Sequence, residues 1–106
     1  MIEIEASCGN VYEDLQVNDA AAMQVKAGLA SKIADIIRHR RLTQQQAAEI
    51  LGISQPKLSS LLRGQFRGIS EAKMMECLNR LGRDVEIRIR KAPRGHAQGQ
   101  TRVTLS

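Results

Sequence analysis

Gln55, Ser59 and Ser60 fall at the four-and-one spacing that gathers side chains on one side of a helix. Their chemistry is that of reading, not reacting. A glutamine amide holds a donor beside an acceptor, and that pair matches N6 and N7 of adenine in a major groove. A serine hydroxyl reaches either a base edge or a phosphate. Pro56 either touches a thymine methyl or merely stiffens the chain where it enters the helix. Around these four lie Gln44, Ser54, Lys57, Arg63 and Arg67, all donors suited to phosphate oxygens. Gln44 also reads as simple helix-start chemistry, and Arg40 and Arg41 as either phosphate contacts or a solvated helix end.

No catalytic set competes with that reading. The 106 residues hold no nucleophile–base arrangement and no glycine loop that cradles phosphate. His39 and His96 have no cysteine or carboxylate at ligand spacing, so no metal is expected. Cys8 and Cys77 lie far apart and read as free thiols, Cys77 as a small core residue. An enzyme, a cofactor and a small-molecule ligand are therefore not expected. Neither a secretory signal nor an apolar run near the roughly 18 residues of a membrane span is visible, which points to the cytoplasm.

Charge divides the chain. Residues 1–25 carry Glu3, Glu5, Glu13, Asp14 and Asp19 and nothing basic, a net −5. All 16 Lys and Arg follow, against six acids, a net +10. A basic body suits a polyanion, and an acidic arm suits a basic partner or is a solvated tail.

The elements that must position these groups are legible in the pattern. Asn18-Asp19 is a plausible N-cap pair, and Val25, Leu29, Ile33 and Ile36 then recur at helical spacing. A first helix is predicted over about 20–40. Thr43 with Gln46 forms a capping box that opens a second helix over 44–51, and Gly52 stops it. Ser54 caps a third helix over 55–62, with Ile53 and Leu58 as a staple. Ser70 caps a fourth, stapled by Ile69 and Met74 and ended by Gly82. The period then changes. In DVEIRIRK, Val85, Ile87 and Ile89 alternate with polar residues, which predicts a strand over 84–91. TRVTLS reads as a second short strand. With two aromatics in all, Tyr12 and Phe66, the core must be aliphatic.

Two helices joined by a short turn containing glycine make a helix-turn-helix. Ala47 and Ala48 supply the small residues at the crossing, and Leu58 with Leu61 the inner face of the second helix. Its outer face then carries Gln55, Pro56, Ser59, Ser60 and Arg63. A lone strand leaves an edge, which pairs either with a second copy or with 101–105.

Residues 42–64, LTQQQAAEILGISQPKLSSLLRG, resemble the Cro/repressor (Xre-type) helix-turn-helix family, with Gln44, Ala48, Gly52, Ile53, Leu58 and Leu61 at its marked positions. NVYEDL, the long helix and LNRLGRDVEIRIR extend the similarity to the HigA-like branch over roughly 10–91. The resemblance implies a mainly α fold, a four- to five-helix Cro/repressor-like domain with a C-terminal β-strand. Its parts are an acidic arm at 1–17, the helix-turn-helix domain at 18–83 and a strand with basic tail at 84–106. The resemblance further implies a homodimer on a palindromic operator in double-stranded DNA, joined through Val85, Ile87 and Ile89. It implies autorepression by an antitoxin of a type II pair, with a HigB/RelE-like toxin as partner held by Tyr12, Glu13, Asp14 and Leu15. A stand-alone phage or plasmid repressor, or an adaptor that uses the fold without DNA, are the alternatives.

Overall fold

The computed structural model describes residues 15–105, and side chains from Ala20. Tyr12, Glu13 and Asp14 lie outside the described residues. Four helices form among those described: α1 (Leu15–His39), α2 (Gln44–Leu51), α3 (Gln55–Leu62) and α4 (Glu71–Arg80). The fold is mainly α. α1 packs on α4 and α3, and α2 packs on α3 and α4.

One aliphatic core holds these helices together. Leu29, Ile33, Ile36 and Ile37 line α1, and they meet Ala47, Ala48 and Leu51 of α2, Leu58 and Leu61 of α3, and Met74, Cys77 and Leu78 of α4. Burying each large aliphatic side chain contributes about 1.5–3 kcal/mol. The described core contains no buried polar or charged side chain. Cys77 is part of it, and desolvation pushes its thiol up from the ordinary value, away from the reactive thiolate.

α1 starts at Leu15, upstream of the expected cap. Asn18 and Asp19 therefore lie inside the helix. Both form helix only moderately less well than alanine, and neither Gly nor Pro interrupts the stretch from Leu15 through Ala20, Ala21 and Ala22.

α1 ends in an unusual way. Arg41 has φ +55°, the left-handed region that glycine normally fills. The Leu42 N–H donates to the Ile37 carbonyl at 3.0 Å and closes the turn. A side chain here costs roughly 1–2 kcal/mol, part of which the greater freedom of an unfolded glycine would offset. Arg41→Gly is therefore expected to raise stability by about 1 kcal/mol, or roughly 4–8 °C in a thermal melt of a domain this size.

The expected strand at 84–91 is not formed, nor is one at 101–105: no described residue is in a strand. The reason is that a ladder needs a partner. Val85 is half-buried against the core, while Ile87 and Ile89 are 56 % and 91 % exposed. The alternation is present in the chain, but the two C-terminal segments do not pair with each other.

Candidate nucleic-acid interface

α2 begins with the predicted capping box. The Gln46 N–H donates to the Thr43 hydroxyl at 3.0 Å, and the Thr43 N–H to the Gln46 side-chain carbonyl at 2.9 Å. This fixes the helix start and leaves Gln44, its first residue, exposed. The remaining first-turn amides make this end electropositive.

Gly52 makes the turn. Its φ is +72°, and its N–H donates to the Ala48 carbonyl at 2.8 Å. A Cβ there would lie 2.7 Å from a guanidinium nitrogen of Arg80. That guanidinium donates to the Ile50 carbonyl at 3.4 Å, and its Nε to Glu76 at 3.2 Å. Gly52→Ala is expected to cost about 1–2 kcal/mol, mostly from the left-handed backbone, since Arg80 can swing away. A denaturant titration measures it.

α3 is built to present one side. The Lys57 N–H donates to the Ser54 hydroxyl at 3.2 Å, and Pro56 occupies the first turn, where its missing N–H leaves nothing unpaired. Ser54 is thus occupied as an acceptor, while its own O–H remains a donor on an exposed residue. Leu58 and Leu61 are 0 % and 1 % exposed, which sets the inner side. At about 100° per residue, Pro56 and Arg63 then fall directly opposite, with Ser59 and Ser60 beside them. Gln55 and Lys57 sit at the two margins. Gln55, Pro56, Lys57 and Arg63 are exposed, and Ser59 and Ser60 half-buried. The structure therefore brings the predicted group together on one helix face.

Arg67 stands in the loop after α3, and that loop is anchored at several points. Gly64 has φ +86°, and the Gln65 N–H donates to the Ser60 carbonyl at 2.8 Å. Phe66 and Ile69 are buried beneath it. Lys26, from α1, donates to the Arg67 carbonyl at 3.0 Å. Between loop and helix lies a shallow groove of about 310 Å³ lined by Pro56, Lys57, Ser60, Gln65, Gly68 and Ile69. Residues 54–70 hold Lys57, Arg63 and Arg67 and no acid. This stretch therefore presents donors and cations and carries no negative side chain of its own.

Two contributors were not visible in the sequence pattern. Lys26 acts across 41 residues, so no local signal marks it. Gln65 belongs to the groove because Phe66 folds the loop back; a single aromatic between Gly64 and Gly68 was the available sign. Of the predicted partner-binding residues, only Leu15 falls within the described chain, at the start of α1.

Among the described residues no group of three or more His, Cys, Asp or Glu is placed to hold a metal ion. Among the described residues no helix is long and apolar enough to cross a membrane.

The model of a helix-turn-helix domain family matches residues 11–90. A solved structure described as an XRE family transcriptional regulator is 42 % identical, with a TM-score of 0.78. The match covers 83 % of this chain and 99 % of that one. No curated protein matches the sequence.

Proposed function

The chain belongs to the helix-turn-helix domain family, and from that premise we propose a sequence-specific autorepressor that is the antitoxin of a type II pair. It is a DNA-binding transcriptional regulator of the XRE type, a family of regulators and not of enzymes. The observation that carries the reading is the outward face of α3, polar and acid-free, set by an inner face of Leu58 and Leu61.

That face enters the major groove. Gln55 pairs with an adenine edge, Ser59 and Ser60 reach bases beside it, and Pro56 rests against a thymine methyl. Gln44, Ser54, Lys57, Arg63 and Arg67 hold the flanking phosphates and fix the register. With Pro56 where a polar reader would add a hydrogen bond, DNA shape carries part of the specificity. An adaptor without DNA is disfavoured, because its α3 would turn apolar or acidic residues outward.

One such module reads few base pairs. A homodimer doubles the footprint, and residues 84–91 supply the contact: Val85, Ile87 and Ile89 of two copies pair as strands. Ile87→Glu with Ile89→Glu is expected to leave the fold intact, because both side chains are exposed in the single chain. Light scattering should then give a monomer, with palindrome affinity lower by about two orders of magnitude.

The antitoxin part rests on the charge division and on the resemblance to the HigA-like branch. A toxin that holds RNA in a basic cleft is matched by the −5 segment, where Tyr12, Glu13, Asp14 and Leu15 combine charge with apolar grip. Such a pair works in the cytoplasm, where its mRNA substrate and its operator lie.

Selection from a random duplex library tests the regulator reading. Enrichment of a palindrome with half-sites about one helical turn apart is the expected result. A pool that stays random contradicts it. Co-purification with a RelE-like toxin, lost in Glu13→Lys with Asp14→Lys, tests the antitoxin role; a stand-alone repressor retains no such partner.

A further inference from the structure

Gly28 lies in the middle of α1, where glycine weakens a helix relative to alanine. The structure shows what it makes room for. A Cβ on Gly28 would sit 2.9 Å from Cβ of Val103 and 3.2 Å from its Cγ1. Val103 is half-buried against the core, and so is Val85. The intervening chain, residues 86–102, is thus pinned at both ends, and every residue in it is exposed.

This loop is basic. It contains Arg88, Arg90, Lys91, Arg94 and Arg102, and its one acid, Glu86, is paired with Arg88 at 3.4 Å. At its centre Pro93–His96 forms a tight turn. The His96 N–H donates to the Pro93 carbonyl at 3.2 Å, and Gly95 has φ +87°, as the third position of a type II turn requires. Arg94 holds the second position, at the tip. From Arg90 to Gln100 no large apolar side chain is present, so this part of the loop, unlike Ile87 and Ile89 before it, lacks the anchors a protein partner would grip.

An arginine on a narrow turn, flanked by cations, matches the minor groove of A·T-rich duplex, whose narrow walls deepen the negative potential. We propose that residues 90–102, beyond the apolar Ile87 and Ile89, form a second DNA-contacting element, which places Arg94 in the minor groove beside the site read by α3. Arg90 and Lys91 lie on the adjoining phosphates, and the Val103–Gly28 contact holds the loop's far end. The proposal rests on the DNA-binding reading of α3 and extends the footprint beyond it.

The test uses the full chain on labelled duplexes of about 30 base pairs, one of scrambled A·T pairs and one of scrambled G·C pairs. The wild type should favour the A·T duplex by about tenfold. Arg94→Gln should remove most of that preference and leave only what Gln55 and Pro56 contribute from α3. Adding Arg90→Gln and Lys91→Gln should lower the slope of log K against log salt by about one per cation, about three in all. Val103→Ser should weaken the A·T preference with every cation in place. Arg90, Lys91 and Arg94 are exposed, so their variants should leave the fold intact. A triple variant with unchanged slope and unchanged preference, while the wild type still binds duplex, overturns the loop's role and leaves α3's intact. A wild type that binds neither duplex nor any selected operator overturns both.

Discussion

Leu58→Ala is expected to lower the unfolding free energy by about 3–4 kcal/mol. Leu58 is 0 % exposed, on the inner side of α3. Ala47 and Ala48 of α2 lie in the same buried cluster and are too short to fill the space left behind. Met74, also in that cluster, is a flexible side chain able to relax inward, which keeps the cost below the top of the range for such substitutions. A domain of this size has about 5–15 kcal/mol in total, so roughly a fifth to four fifths would be lost. Urea titration followed by circular dichroism should show a lower midpoint at constant slope. A change below about 1 kcal/mol would mean that α3 is not seated on the core by this residue.

Gln55→Ala combined with Ser60→Ala is expected to cut the preference for operator over scrambled DNA by about a hundredfold. Each base contact is worth roughly 1–3 kcal/mol of discrimination, and the two together account for that factor. Neither residue is charged, so the salt slope should not move. Nor should stability fall: Gln55 is exposed and Ser60 half-buried, and alanine is the better helix former. Fluorescence anisotropy at several salt concentrations separates these terms. Equal weakening on operator and scrambled DNA would assign both residues to the backbone instead of the bases.

The contrast between what the chain announces and what it hides is physical. Capping chemistry is local, so the Thr43–Gln46 box, the Ser54 and Ser70 caps and the Gly52 stop are all found where the residue types put them. The inner face of α3 was equally legible, because Leu58 and Leu61 can share only one side of a helix. The outward group of Gln55, Pro56, Ser59, Ser60 and Arg63 follows from that geometry.

Features that depend on distant chain were not legible. Arg41 occupies a left-handed position with no glycine to mark it. The Lys26 contact and the Val103–Gly28 approach join residues 41 and 75 positions apart. The start of α1 was misplaced because Asn18 and Asp19 cap helices in many chains but also fit inside one. The alternation at 84–91 is present in the sequence, but no other described segment pairs with it as a strand. Val85 turns inward while Ile87 and Ile89 remain on the surface. Period alone marks a face and does not supply the paired segment that a ladder requires.

On the reading proposed above, the acid-free face of α3, with its two flanks, is the surface that meets DNA. Amide chemical-shift mapping of the isotope-labelled chain against a selected palindrome tests it most directly. The largest shifts should fall at Gln44, across Ser54–Ser60, and from Arg63 to Arg67, with the core of α1 and α4 little moved. Shifts confined to other surfaces, with Ser54–Ser60 unperturbed under saturating duplex, would contradict it.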